Sequence, residues 1–290
     1  MSSQKHYELG IYISLFNFRI DVLKKYIRKK FPGLMQFRIN MQDWLDRCSP
    51  PRVTPWGFTL AGHDAMADGT FEPDETLLVR QTLKEVDILI NVGANVGYYC
   101  CHALSMGIPV IAVEPIKRNL HYLMTNIRNN GWSQQVEIFP IALGVSKNIQ
   151  EMWGGGTGAS LVKGWASAPP EYVTHVPILS LDRILGATIK GKRALILVDI
   201  EGGEFSMLQG AFETLRNDPK PIWIVEIAST EHMPKHTAMN PNYSKTFELF
   251  FNCGYSAVTA NSRMDKINQI EVDEVASGAK KPDTHNFMFR

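Results

Sequence analysis

Short aliphatic runs separated by amphipathic segments set the pattern of this chain from about residue 86 onward. Val86–Ile90, Pro109–Val113, Val136–Leu143, Ala194–Ile200 and Ile222–Ile227 are mostly β-branched or aliphatic, which predicts buried strands of a parallel sheet. Between them the apolar spacing predicts a helix from about Tyr98, a second over Lys117–Asn130 closed by Gly131, and a third ending near Leu215. A helix at Phe247–Phe251 and strands at Tyr255–Thr259 and His285–Phe289 complete the series. Strand and helix alternate, which predicts an α/β domain built on a parallel sheet.

Upstream the pattern changes. Ile13, Phe16, Ile20, Leu23 and Ile27 recur at steps of three or four and predict an amphipathic helix over residues 7–31. Its end is basic, at Lys24, Lys25, Arg28, Lys29 and Lys30, a charge that the helix dipole favours there. The expectation is a helix packed on the main domain with a solvated basic face; docking on a membrane surface or a partner is the alternative. Pro50, Pro51 and Pro55 mark a linker, so the expected division is a helical segment at 1–50 and a main domain at 51–290. Trp56–Leu60 predicts a short strand, and Asp74 is the expected N-cap of a helix reaching Leu83.

Composition narrows the class. With 44% hydrophobic and 20% charged residues in a chain of 290, one large globular core is expected. A net charge of +1 gives no electrostatic reason to expect a nucleic acid partner. Cys48, Cys100, Cys101 and Cys253 form neither a disulfide framework nor a C-x-x-C zinc spacing, so a reducing, cytoplasmic setting is expected. Leu9–Phe18 has the apolarity of a signal-peptide core, but Arg19 and Asp21 follow where a small-residue cleavage site would stand. No run is long enough for a membrane-spanning helix.

The candidate chemistry centres on Asp87–Gly97, DILINVGANVG. Gly93 and Gly97 allow a sharp turn between strand and helix and a close approach of backbone to ligand. The helix then offers unpaired N–H groups and the positive end of its dipole. Glu114, about twenty residues past the first glycine at the end of the next strand, stands where such folds accept ribose hydroxyls. The dehydrogenase fingerprint is missing, because Asn95 and Tyr98 occupy its second and third glycine positions. A nucleoside without a pyrophosphate, such as S-adenosylmethionine, therefore fits better than NAD. At the end of a later strand VDIEGGE brings Asp199, Glu201 and Glu204 to the edge where open α/β sheets bind ligands, and Glu226 ends the next strand. Gly154–Gly158 lacks the Lys-Ser/Thr of a P-loop; a mobile loop over the site is one expectation and a plain surface loop the alternative. His232 follows a strand end and is a candidate base; His236 lies four residues on, but Pro234 intervenes and no metal site is expected.

NVGANVGYY, AVEP, PIALG, GASL, LSLDRIL, VDIEGGEFSMLQGA, IVEI and NCGY occur in this order from about residue 69, and together the chain resembles the FkbM-type methyltransferases. The resemblance implies a class I, Rossmann-like α/β fold: a seven-stranded, mostly parallel sheet in the order 3-2-1-4-5-7-6, with strand seven antiparallel and helices on both faces. It implies S-adenosylmethionine as cofactor and methyl transfer to a hydroxyl of a small molecule or glycan. By position, Gly93, Asn95 and Gly97 would hold the methionine part, Glu114 the ribose, and Ala142 with Leu143 the adenine edge. Glu72, Asn91, Tyr98, Pro115 and Asn119 would complete the cofactor site, and Asp199 and Glu201 would line the reaction centre, with His232 as a further candidate. Two positions depart from the family pattern. Leu197 replaces a lysine before the D-x-E-G acid, and Asn91 replaces an aspartate on the first strand. The alternative is a binding module that keeps the cofactor fold without turnover and docks through the basic helix.

Overall fold

The computed structural model describes residues 50–290. The helix expected at residues 7–31 and nearly all of the segment expected at 1–50 lie outside the described residues. The described chain opens with a small antiparallel pair, β1 (Arg52–Val53) and β2 (Thr59–Leu60), followed by helices α1 (Asp64–Asp68) and α2 (Pro73–Thr82). Then come β3 (Ile88–Val92), α3 (Tyr98–Ser105), β4 (Val110–Val113), α4 (Lys117–Asn129), β5 (Val136–Phe139) and β6 (Ala142–Leu143). An excursion follows through β7 (Asn148–Trp153) and β8 (Val173–Leu179) to α5 (Leu181–Leu185). The second half contains β9 (Ala194–Val198), α6 (Glu204–Gln209), α7 (Phe212–Leu215), β10 (Ile222–Glu226) and α8 (Tyr243–Asn252). It closes with β11 (Ala257–Thr259), β12 (Lys266–Ile267), α9 (Gln269–Ala276) and β13 (Asn286–Phe289).

The main sheet runs β5-β4-β3-β9-β10-β13-β11, the expected 3-2-1-4-5-7-6 order, with β12 added as an eighth strand at the edge. β5, β4, β3, β9 and β10 pair in parallel, and β13 enters antiparallel to both β10 and β11. The two faces follow from strand periodicity. Ile88, Ile90 and Val92 of β3 join one apolar cluster with Ile196, Val198, Val225 and Phe287, whereas Leu89 joins the other with Leu195, Leu197 and Met288. Every residue of β3 and β9 is buried, as a strand covered on both faces requires. On the first face Phe250 of α8 stacks on Phe289 at a centroid distance of 3.8 Å.

Several boundaries differ from expectation for physical reasons. The first strand is displaced by two residues: Val86 and Asp87 precede the paired segment, and the strand continues through Asn91. That asparagine is tolerated at 2% exposure because its Nδ2 donates to Cys100 Sγ. Glu72, not Asp74, caps α2, since Pro73 takes the first helical position. The run from Val136 to Leu143 is two strands, interrupted at Pro140; the second half leaves the main sheet and pairs with β8. The helix expected to end near Leu215 is broken at Gly210, where a Cβ would stand 2.4 Å from the Gly144 carbonyl oxygen. Among the described residues no helix is long and apolar enough to cross a membrane.

Candidate active site

The turn after β3 is stitched to both neighbouring strands. Gly93 and Ala94 donate their N–H groups to the Val113 carbonyl of β4 at 2.9 and 3.0 Å, and Asp199 donates its N–H to the Val92 carbonyl at 3.0 Å. Gly93 has φ 84°, and a Cβ there would lie 1.8 Å from the Asp199 carbonyl oxygen. Gly97, at φ 88°, starts α3 and packs on Leu123; it shapes the turn. The carboxyl ends of β3, β4 and β9 thus meet at one point, and two clefts open from it.

The first cleft opens to solvent and contains Gly93, Asn95, Glu114, Pro115, Asn119, Ala142 and Leu143, all expected cofactor residues. Glu114 is 3% exposed and spans the turn: Oε2 accepts from Asn95 N–H at 2.8 Å and Oε1 from Ile116 N–H at 2.7 Å. Burial pushes its carboxyl up to about 7, against the pull of those two donors. Each oxygen keeps a lone pair, so the carboxyl can still accept from hydroxyls. Asn119 donates to the Gly156 carbonyl at 3.0 Å, which ties α4 to the glycine-rich segment and places Gly156 and Thr157 on the cleft wall. Its own Oδ1, and that of Asn95, are buried without a partner among the described residues. Unsatisfied buried oxygens beside an apolar wall of Ala142, Leu143 and Met152 suit a nucleoside, with polar edges on one side and a flat apolar face on the other. Met152 comes from the excursion strand β7, which carried no motif to announce it.

The second cleft contains Asn91, Tyr98, Tyr99, Glu75, Glu226 and Asn286, and shares Gly93, Asn95 and Asp199 with the first. Tyr98 is 1% exposed; its hydroxyl lies 3.3 Å from Thr76 Oγ1 and its ring packs edge-on against His102. The Tyr99 hydroxyl reaches Glu72 at 3.2 Å and Glu75 at 3.1 Å. Glu72 holds φ 38° at the head of α2 and its carboxyl is shifted up, chiefly by burial. Neither Glu75 nor Asn286 was legible as a site residue. Glu75 follows Glu72 by one helical turn, the one signal that could have found it; Asn286 pairs with Glu226 across antiparallel strands, a long-range relation with no local mark.

The acids at this edge are not equivalent. Glu201 accepts the Trp165 indole N–H at 2.5 Å, and its carbonyl accepts from Ser160 Oγ. Glu204 is buried, accepts from Gly202 N–H at 3.0 Å, and is pushed by burial up to about 7. Asp199 and Glu226 make no side-chain hydrogen bond among the described residues, and of the two Asp199 alone lines both clefts. The Asp199 carboxyl reaches solvent through the open cleft, yet protein packs closely around it. Desolvation first, then repulsion from Glu226, Glu201, Glu204 and Glu72, raises it well above the ordinary carboxylate range. Desolvation first, then repulsion from Glu201, Glu204, Glu72 and Glu75, brings Glu226 up to about 8. His232 lies apart: it is exposed, sits 6.2 Å from Trp165 between ring centroids, and lines neither cleft. Among the described residues no group of three or more His, Cys, Asp or Glu side chains is arranged to hold a metal ion.

No curated protein matches the chain. Among solved structures, the FkbM methyltransferase of Methylobacillus flagellatus is 15% identical with a TM-score of 0.40; the match covers 78% of this chain and 61% of that longer one. An O-methyltransferase of Bacillus cereus in complex with SAH is 10% identical, TM-score 0.40, with 92% and 96% covered. An SAH-bound methyltransferase of Podospora anserina is 9% identical, TM-score 0.39, with 88% and 94% covered. A family model described as the methyltransferase FkbM domain matches residues 91–257, from the middle of β3 to the start of β11. That span is more than half of the chain, which belongs to the FkbM family of S-adenosylmethionine-dependent methyltransferases.

Proposed function

We propose that this protein methylates a hydroxyl of a small molecule or glycan, with Asp199 as general base. The observation that carries the reading is the position of Asp199: an uncommitted carboxyl at the junction of two clefts, with a raised proton affinity. The orphaned oxygens of Asn95 and Asn119, the Glu114 carboxyl and the bare Gly93 backbone fit the cofactor, and they would hold it. When bound, the cofactor supplies a methyl group already activated by its sulfonium. The protein's task is then to aim an oxygen and take its proton.

Alignment of two reactants in a fixed site can contribute about 7–11 kcal/mol in the best cases. A positioned base adds about 10²–10⁴-fold in rate. Asp199 is better suited to that second role than its neighbours. Glu201 is engaged by Trp165 and acts as a positioning residue that fixes the indole over the turn. His232 stands beyond Trp165, outside both clefts.

The test is methyl transfer from labelled S-adenosylmethionine to a panel of glycans, polyols and phenols. The expected product carries label in an ether that survives mild alkali. Label found only in esters or amines would overturn hydroxyl transfer. Cofactor binding without turnover on any acceptor would favour the binding module.

A further inference from the structure

Among the described residues the second cleft contains carboxylates and no counter-charge. Glu75, Asp199 and Glu226 line it, and no lysine, arginine or histidine is among its lining residues. Acids alone would not define a site, but one of them is incompletely satisfied. Glu75 is 8% exposed; Oε1 accepts from the Tyr99 hydroxyl at 3.1 Å, whereas Oε2 is buried with no partner. A buried carboxylate oxygen without a donor, on a side chain that lines the cleft, is a strong acceptor. On the adjoining strand Asn91 is an amide that carries no charge, and its nitrogen is directed to Cys100 Sγ. The cleft therefore has one acid fixed by a tyrosine and unmatched on its other oxygen, and the backbone of Gly93 and Asn95 lines the same cleft.

We propose that Glu75 receives the α-ammonium of the cofactor's methionine part, supplying from α2 the negative charge that Asn91 does not supply from β3. This assignment rests on the reading that the two clefts together take S-adenosylmethionine. Tyr99 acts as the positioning residue: its hydroxyl bonds Oε1 and leaves Oε2 for the ligand. In the absence of a cation, burial and the neighbouring Glu72 hold Glu75 up to about 8, so the group is largely protonated near neutrality. An arriving ammonium favours the ionised form, and the displaced proton goes to solvent.

Calorimetry with two nucleosides separates the possibilities. S-adenosylhomocysteine has the amino-acid tail; 5′-methylthioadenosine shares the adenosyl thioether and lacks it. Wild-type protein near pH 7 is expected to release protons on binding the first, seen as a dependence of the heat on buffer ionisation enthalpy, and to release fewer with the second. Glu75→Gln is expected to weaken S-adenosylhomocysteine about 10-fold or more, leave 5′-methylthioadenosine within about 2-fold, and reduce the proton release. Equal weakening of both nucleosides, or of neither, would overturn the assignment. Should Glu75→Gln not fold, Glu75→Asp, which keeps the charge and withdraws it by one methylene, is read by the same selectivity. Failure of wild-type protein to bind either nucleoside would instead reject the cofactor reading on which the assignment rests.

Discussion

Gly93→Ala is expected to weaken cofactor binding about 100-fold or more and to lower the melting temperature by roughly 5–10 °C. Two penalties coincide at this residue. Its φ of 84° is a conformation that costs a residue with a Cβ on the order of 1–3 kcal/mol. The added methyl would also stand 1.8 Å from the Asp199 carbonyl oxygen, so β3 and β9 cannot keep their register at the turn. The displaced atoms belong to the floor shared by both clefts, and the effect on affinity exceeds the effect on stability: S-adenosylhomocysteine binding falls about 100-fold or more. Gly131→Ala is the matched control. Gly131 also has positive φ, at 78°, but a Cβ there meets nothing within 4 Å. It bears the backbone penalty alone, so stability falls modestly and affinity stays at the wild-type value. Thermal unfolding and calorimetry on both variants check the pair; unchanged binding in Gly93→Ala would remove the turn from the cofactor site.

With Asp199 as the proposed base, Asp199→Asn is expected to lower kcat by about 10²–10⁴-fold while S-adenosylhomocysteine affinity stays within about 3-fold. The amide is isosteric and cannot take a proton. It also relieves repulsion among Asp199, Glu226, Glu201 and Glu204, so the fold is not weakened by the change. The pH profile gives the sign. A base must be deprotonated to act, so wild-type kcat/KM rises with pH through the raised pKa of the acidic cluster and levels off above it. Because Asp199 interacts with several acids, that limb reports the cluster rather than one residue. In Asp199→Asn the residual rate loses the dependence. Full turnover in the variant, with normal cofactor affinity, assigns the base to another group.

Most of the sheet was legible because its central strands are buried on both faces. Ala194–Val198 leaves an unbroken apolar run in the sequence, Ile88–Val92 one interrupted only by Asn91, and the glycine turn marks where the latter ends. The three-stranded excursion was not legible, and the reason is local. β7 has a mostly exposed face, and β8 contains Pro177, a residue that argues against a strand. Pro177 is accommodated because it precedes the two residues, Ile178 and Leu179, that pair with β6. The site divides the same way. Gly93, Asn95, Glu114, Asn119 and Asp199 belong to motifs at strand ends, where topology alone brings them together. Glu75, Asn286 and Trp165 arrive from α2, from an antiparallel strand and from a loop, and only three-dimensional packing puts them there. His232 shows the converse, for closeness in sequence to a strand end did not carry it into either cleft.

The joined clefts are expected to hold S-adenosylmethionine. Calorimetric titration of the wild-type protein with S-adenosylhomocysteine, with NAD as control, tests it most directly. The account predicts a dissociation constant on the order of micromolar for the first and no saturable heat for the second. No binding of S-adenosylhomocysteine, or equal binding of NAD, would contradict it.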